Sequence, residues 1–148
     1  MTESKLTDAE LADLSCLAGM IVPASEKYAV PSAADARIFD DIVNSIGRDF
    51  DSVRATLATL RTLAGGPFAA LHSPQRDAVA ARLRAEGGRP LAVVTRIVLL
   101  CYYRDDRVML SLGLEPRPPF PKGHVIEQGD WSLLDPVRRR KPFWRPVP

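Results

Sequence analysis

The sequence predicts an all-α protein, a compact bundle of five to six helices followed by an extended, proline-rich C-terminal arm. Within residues 1–113, apolar residues recur at three- and four-residue spacings, which is the period of an amphipathic helix. Glycines and prolines separate these stretches, and no alternation of apolar and polar residues is long enough to predict a sheet. Eight of the thirteen prolines lie in residues 114–148, where they disfavour any long regular helix or strand.

The first two helices are marked by capping residues and by the residues that stop them. Thr7 and Glu10 have the spacing of a capping box, so the first helix is expected to begin there and to stop at Pro23. Ser32 is the predicted N-cap of the second helix, whose apolar stripe ends at Gly47. Each helix carries one apolar face, so both are expected to pack on a common core.

Glycine pairs end the next two helices. Residues 50–64 form the third predicted helix, which stops at Gly65-Gly66. Ser73 is the predicted N-cap of the fourth helix, Pro74 takes its first position, and Gly87-Gly88 ends it. We interpret both glycine pairs as caps, because a dinucleotide-binding turn requires GxGxxG between a strand and a helix.

Two tyrosines end the fifth predicted helix. A short sixth helix covers about residues 105–112 and ends at Gly113, and Asp105 lies at its start, where a carboxylate stabilises the helix dipole. Consecutive residues on a helix point about 100° apart, so Tyr102 and Tyr103 cannot both face the core. We expect Tyr102 to be buried and Tyr103 to be available for an interface.

Size and composition indicate a globular protein with a core of its own. The chain has 148 residues, of which 46% are hydrophobic and 26% charged. No apolar run approaches the roughly 20 residues that a bilayer crossing needs. Cys16 and Cys101 lack CxxC spacing, so we expect two buried thiols and no disulfide. The N-terminus lacks a signal-peptide pattern, which predicts a cytoplasmic protein as written; the alternative is a periplasmic protein whose signal was removed or which another subunit exports.

The arm, residues 114–148, has a composition that disordered segments lack. Disorder goes with few aromatic residues, whereas burial of each large apolar side chain of this arm would contribute roughly 1.5–3 kcal/mol. For residues 114–127, packing on the chain's own helices and contact with a partner are equally supported. For residues 128–148 we favour a partner surface, because prolines reduce the ordering cost of docking and the helices have limited apolar surface left to offer.

Charge is unevenly distributed along the chain. Residues 1–113 hold 13 basic and 14 acidic side chains, whereas residues 114–148 hold 7 basic and 4 acidic ones. Most of the basic excess comes from the run Arg138–Lys141. We interpret this run as the charged rim of a protein interface, and a basic tail that binds nucleic acid is the alternative.

Three stretches resemble one known family. They are "LADLSCLAGMIVPAS", "AVPSAADARIFDDIVNSI" and "LCYYRDDRVMLSLGLEPRPPFPKGH". The first resembles an opening helix that ends in an Ile-Val-Pro-Ala turn, and the last resembles a late motif of paired aromatics, a short helix, Leu-Gly and a proline-rich turn. Together these stretches, which span about residues 7–124, are similar to the small (gamma) subunit of gluconate 2-dehydrogenase, also called subunit 3.

The resemblance implies a non-catalytic accessory subunit in a hetero-oligomer. In such complexes the large subunit, of the glucose-methanol-choline type, binds FAD and oxidises a sugar or alcohol hydroxyl by hydride transfer to the flavin. The small subunit binds and stabilises the large one, and a cytochrome c subunit often accepts the electrons. This resemblance therefore implies that FAD lies in the partner and that this chain holds no cofactor.

The residues themselves predict no catalytic centre in this chain. Covalent c-type haem requires CxxCH, which neither cysteine has, and His124, Glu127 and Asp130 lack a second cluster that would complete a metal shell. We therefore expect no catalytic, cofactor-binding or metal-binding residue and no bound nucleic acid. The predicted site is a partner-binding surface made of Tyr103, Arg117, Pro118, Phe120, Pro121, Trp131, Leu133, Leu134, Arg138, Phe143 and Trp144.

Overall fold

Helices account for nearly all of the regular structure. The computed structural model describes residues 5–116 and 126–141, and the chain divides into two units, Met1–Pro116 and Arg117–Pro148. The all-α prediction is confirmed: in the described residues, the only β-type pairing is an isolated bridge between Ser25 and Val30. The α-helices are α1 (Asp8–Ile21), α2 (Ala36–Asn44), α3 (Phe50–Ala64), α4 (Ser73–Glu86), α5 (Arg89–Tyr103), α6 (Asp106–Ser111) and α7 (Asp135–Arg138).

The centre of the first unit is formed by α3 and α5. These two helices pack on each other, and α3 also packs on α4 and α1 while α5 packs on α2. Their apolar stripes are fully enclosed, as at Leu57, Leu60 and Val98. The other helices complete one continuous core, which includes Leu14, Leu17, Ile38, Ile42, Phe68, Val79, Leu83, Tyr102 and Val108.

The predicted start and end of α1 are confirmed. Thr7 Oγ1 accepts the Glu10 N–H at 3.3 Å, and the Glu10 carboxylate accepts the Thr7 N–H at 2.8 Å. This reciprocal pair satisfies two of the backbone donors that a helix start leaves without partners. The helix ends at Ile21, two residues before Pro23.

The predicted N-cap of α2 is wrong. Asp35, not Ser32, caps this helix, and its carboxylate accepts the Arg37 N–H at 3.2 Å. Ser32 Oγ instead accepts the Ala34 N–H at 3.1 Å and donates to the Val22 carbonyl at 3.3 Å. Serine accepts the same local hydrogen bond in a turn as in an N-cap. The residue type alone therefore does not distinguish the turn at Ser32 from a helix start.

The predicted N-cap of α4 is wrong by one residue. The N-cap is His72, and Ser73 is already helical. The Gln75 side chain, three residues on, accepts the His72 N–H at 3.3 Å, as the acidic or amide residue of a capping box does. The predicted stop is confirmed, because the helix ends at Glu86 and Gly87 has a positive φ of 62°.

A glycine ends α6 and the regular part of the first unit. Gly113 has a φ of +73°, a conformation that other residues rarely adopt. Its N–H donates to the Leu110 carbonyl at 3.0 Å, and the Leu114 N–H donates to the Met109 carbonyl at 2.9 Å. This pair of bonds is a Schellman motif, which satisfies the last carbonyls of the helix.

A buried carboxylate on α1 ties three elements together. Asp13 is fully enclosed, and its Oδ1 accepts the Ala69 N–H at 2.9 Å. Its Oδ2 lies 3.1 Å from Nε of Arg61 on α3. A buried carboxylate requires such a counter-ion, because removal of one partner of a buried pair costs several kcal/mol. Asp13 therefore fixes α1 against α3 and against the 3-10 helix Phe68–Ala70.

Residues 131–138 of the second unit are helical, whereas the sequence predicts an extended arm in which a long regular helix is disfavoured. The 3-10 helix Trp131–Leu134 continues directly into α7, and we refer to residues 131–138 as the arm helix. Asp130 caps it, because its Oδ1 accepts the Ser132 N–H at 3.0 Å and the Ser132 hydroxyl at 2.6 Å. Pro136 lies in the first turn of α7, where proline is tolerated. A local cap and a well-placed proline therefore allow two helical turns in a segment that is otherwise rich in proline.

Candidate partner-binding surface

The end of α5 presents one tyrosine to the core and the other to solvent. Tyr102 is buried, as predicted, and burial raises the pKa of its hydroxyl. Tyr103 is 54% exposed, and the two rings meet edge to face with their centroids 5.3 Å apart. The buried ring therefore supports the exposed one, which limits the conformational entropy that Tyr103 would lose on binding.

Tyr103 is part of an exposed apolar strip on α5. Leu100, three residues earlier and on the same helix face, is 56% exposed. The two side chains line a shallow groove with Leu91 and Leu99 from the same helix and Gly88 at its N-terminal end. Leu100 is not among the site residues predicted from the sequence, although its spacing of three residues from Tyr103 is a signal that could have identified it.

The apolar exposure continues into α6 and its cap. Leu110, Leu112 and Leu114 are each more than half exposed. The Schellman motif at Gly113 holds the backbone of this turn, so the leucines sit on an ordered segment rather than on a loose end. Single exposed leucines are common on protein surfaces, but several on one short ordered stretch are typical of an interaction site.

Two arginines attach this surface to α2. Arg104, at the C-terminal end of α5, makes a bidentate ion pair with Asp41, and it also donates to Ser45 Oγ at 2.6 Å. These hydrogen bonds lower the pKa of the Asp41 carboxyl and raise the pKa of the guanidinium. The exposed end of α5 is therefore fixed in place by charge-assisted bonds, which are stronger than neutral ones.

Arg107 joins the N-caps of two helices. Its Nη2 lies 2.7 Å from Oδ1 of Asp35, the cap of α2, and its Nε lies 2.9 Å from Oδ1 of Asp105, the cap of α6. Hydrogen bonds from Arg107 hold the pKa of both carboxyls below the ordinary value, and its own pKa is raised. Arg37 adds weaker ion pairs to Asp105 at 3.8 Å and to Asp106 at 3.6 Å.

The ion pairs of Arg104 and Arg107 with carboxylates of α2 and of its N-cap, which we call the arginine clamps, join two stretches that are far apart in sequence. Asp35, Arg37 and Asp41 belong to "AVPSAADARIFDDIVNSI", and Arg104 and Arg107 belong to the "YYRDDR" part of the late motif. The sequence supports an interpretation of Asp105 only as a residue that stabilises the helix dipole. Its role as an N-cap fits that interpretation, but its ion pair with Arg107 was missed, because the sequence does not reveal a partner on another helix.

The arm helix exposes most of its apolar side chains. Trp131 is 59% exposed and Leu133 is 74% exposed, while Leu134 and Val137 are also exposed. Arg138 forms an exposed ion pair with Asp135 at 3.5 Å. None of the residues described in 126–141 is buried, so this unit has no enclosed core among them.

Five of the predicted partner-binding residues lie in the described part of the chain, and all five are exposed. Tyr103 belongs to the first unit, whereas Trp131, Leu133, Leu134 and Arg138 belong to the arm helix of the second. The remaining predicted site residues lie outside the described residues: Arg117, Pro118, Phe120, Pro121, Phe143 and Trp144.

The cysteines differ from each other in burial. Both thiols are free, and Cys101 is buried, with a pKa raised by burial. Cys16 is only half-buried, so the prediction of two buried thiols is correct for Cys101 alone. Nowhere in residues 5–116 and 126–141 do three or more His, Cys, Asp or Glu side chains converge as metal ligands would. His124, one of the metal candidates considered from the sequence, lies outside the described residues.

Comparison with known proteins adds no relative. No protein-family model, no curated protein and no solved structure matches the chain. No helix in the described ranges combines the length and the apolar content that crossing a membrane requires.

Proposed function

We propose that this chain is a non-catalytic small subunit that binds and stabilises the large FAD-dependent subunit of a sugar or alcohol dehydrogenase. In this proposal hydride transfer from the substrate hydroxyl to FAD takes place in the large subunit, and a cytochrome c subunit is a candidate electron acceptor. The resemblance of three stretches to the gluconate 2-dehydrogenase small subunit suggests this class of partner.

One observation carries the proposal: the exposed apolar strip of Leu100 and Tyr103 is held rigidly at the end of α5. Arg104 and Arg107 fix this end to α2, so the strip is pre-organised for contact. Exposed tyrosines on rigid supports are typical of interface hot spots, because little entropy is lost when they are buried. A surface of this kind favours a binding role.

The test is co-expression of the chain with the large FAD-binding dehydrogenase subunit of the same organism. We expect a stable one-to-one complex on size exclusion at physiological salt. The double variant Leu100→Ser, Tyr103→Ser should weaken the complex at least tenfold, since hot-spot truncations cost about 2 kcal/mol or more. Tyr28→Ser is the matched control, because Tyr28 is equally exposed, at 62%, but lies in the loop between α1 and α2.

Two results would contradict the proposal. If the two folded subunits elute separately, the large subunit is not a partner of this chain. If Tyr28→Ser weakens the complex as much as the double variant does, the α5 strip has no special role in binding. Circular dichroism of both variants should match the unmutated chain, because the substituted side chains are exposed.

The second candidate function is a basic-tailed nucleic-acid-binding or adaptor protein. The observation that favours it is that Arg139, Arg140 and Lys141 are exposed, with no ion pair to another described residue. Clustered cations that contact phosphates release counterions, so binding to duplex DNA would fall steeply with salt. Tight, sequence-dependent DNA binding at physiological salt would favour this candidate over the first.

A further inference from the structure

The arm helix has its side chains sorted into three rows. Residues three apart lie above one another in a 3-10 helix and are neighbours in an α-helix. Trp131, Leu134 and Val137 therefore form one apolar row, and Leu133 and Pro136 form a second beside it. The third row is polar and consists of Ser132, Asp135 and Arg138.

The polar row makes local hydrogen bonds and an ion pair, whereas the apolar rows are exposed to solvent. Asp130 caps the helix through Ser132, and Asp135 pairs with Arg138 at 3.5 Å. These local bonds stabilise the helical turns before any partner arrives. Trp131 and Val137 nevertheless remain 59% and 57% exposed. Such a helix has the features of a segment that places apolar anchors at three-residue spacing into a groove.

Charge around the arm helix is polarised along its axis. Glu127 and Asp130 lie on the N-terminal side, and Arg139, Arg140 and Lys141 follow the C-terminal end. A helix C-terminus favours one or two cations through its dipole, but a helix of two turns has a weak dipole and does not require three. The cations are exposed and make no ion pair with another described residue, so they are available to an acidic surface.

The same charges argue against a lipid surface as the occupant. Residues 126–141 hold three acidic and four basic side chains, so the net attraction to an anionic bilayer is small. Binding to a protein groove depends on the position of each charge rather than on the net charge, because the groove can have acidic groups at one end only. Charge complementarity therefore favours a protein partner.

We propose that the arm helix docks in an apolar groove of the large flavoprotein subunit, with acidic side chains at the end of that groove that receives Arg139, Arg140 and Lys141. Trp131 and Leu134 are the anchors, and the basic run sets the orientation. This inference rests on the proposed function and names the recognition mode of the second unit.

The experiment uses the full chain and the co-expressed large subunit, with the dissociation constant measured by titration calorimetry. Trp131→Ala and Leu134→Ala should each weaken binding at least tenfold. Tyr28→Ala and Gln128→Ala are the matched controls, an exposed aromatic residue of the loop between α1 and α2 and an exposed polar residue next to the arm helix. Hydrogen exchange should slow at residues 131–138 in the complex and remain fast in the isolated chain.

A charge-reversal variant tests the acidic rim. Substitution of Arg139, Arg140 and Lys141 by Glu should weaken binding more than tenfold at low salt. The affinity of this variant should no longer fall as the salt concentration is raised. All the substituted residues are exposed, so unchanged melting temperatures are expected and a loss of binding will not reflect unfolding.

The outcomes separate this inference from the proposed function. If a complex forms but Trp131→Ala and Leu134→Ala bind as the unmutated chain does, the docking inference is wrong and the proposed function stands. If the unmutated chain forms no complex, both are wrong. Two other results would contradict docking in a protein groove. One is that the chain binds vesicles of phosphatidylcholine and phosphatidylglycerol through Trp131 and does not bind the flavoprotein. The other is that it binds duplex DNA through Trp131 and does not bind the flavoprotein.

Discussion

The two units of this chain treat the same kinds of side chain in opposite ways. In the first unit, the core-facing leucines and valines of α3 and α5 are enclosed, and Arg104 and Arg107 are paired with carboxylates of α2 and of the segment before it. In the second unit, Trp131 and Leu133 are exposed. The three basic residues that follow the helix have no ion pair to a described residue: Arg139, Arg140 and Lys141. The core of the first unit encloses its apolar side chains and pairs its charges, whereas the arm helix leaves both kinds of side chain exposed.

The contrast predicts different stabilising roles for the same residue type. Leu57 is fully buried between helices, whereas Leu133 is 74% exposed. Leu57→Ala should lower the free energy of unfolding by about 2–5 kcal/mol, through lost burial and the cavity that remains. Leu133→Ala should change it by less than about 0.5 kcal/mol, as surface substitutions do. Urea denaturation followed by circular dichroism at 222 nm, a helix signal, measures both.

A large loss of stability in Leu133→Ala would break the comparison. It would mean that the arm helix contributes to the core in solution. The slope of unfolding free energy against urea should be the same in both variants, because it reports the surface exposed on unfolding and not the individual contact.

The second prediction compares two arginines. Arg107→Met removes the guanidinium bonds to Asp35 and Asp105. The buried Asp105 carboxylate keeps only the backbone N–H of residue 107 at 3.0 Å and Arg37 at 3.8 Å, so stability at pH 7 should fall by about 2 kcal/mol. Arg140→Met should have no measurable effect on stability, because Arg140 has no ion pair to a described residue. Thermal or urea unfolding of the two variants against the unmutated chain provides the measurement.

The effect of Arg107→Met should depend on pH in one direction. The pKa values of Asp35 and Asp105 are lowered in the folded chain, chiefly by hydrogen bonds from Arg107. The stability that they contribute is therefore fully present above the ordinary carboxyl pKa of about 4, and it is lost as pH falls through the lowered folded values. The difference between Arg107→Met and the unmutated chain should shrink below about pH 4. A difference that stays constant down to pH 2 would show that the ion pairs are not its source.

The smallest expected effect is a difference in stability between substitutions of two glycines, one on each side of residues 117–125. Gly113 has a φ of +73° in the cap of α6, whereas Gly129 has no positive φ and no atom within 4 Å of an added Cβ. Gly113→Ala should cost about 1 kcal/mol, because a residue with a Cβ disfavours the left-handed conformation. Gly129→Ala should be close to neutral. Equal melting temperatures for the two variants would contradict the Schellman motif.

Much of the first unit was predictable because its signals are local. The apolar period of α3 predicts a helix over about residues 50–64, which is observed as Phe50–Ala64, and the capping box at Thr7 is a contact between neighbours in sequence. The errors at Ser32 and Ser73 arise where one residue type serves both turns and caps. Which of the two it serves is decided by the residues that follow, Asp35 and Gln75.

The candidate site was predictable only in part. The exposure of Tyr103 follows from helix geometry, and an aromatic arm was evident from composition. The clamps at Arg104 and Arg107, and the buried pair of Asp13 with Arg61, join residues that are far apart in sequence, so no local pattern reveals them. The high proline content of the arm disfavours a long helix, but a cap such as Asp130 acts within two residues and allows the short helix that is observed.

Arg107 and Asp35 are 72 positions apart in sequence, yet the same guanidinium holds the first turns of α2 and α6. Fraying at one of these helix starts therefore removes a support from the other, and the two ends should open together as one cooperative element. Since α6 is the last helix before the proline-rich segment, tension on the chain beyond it would be transmitted to the start of α2.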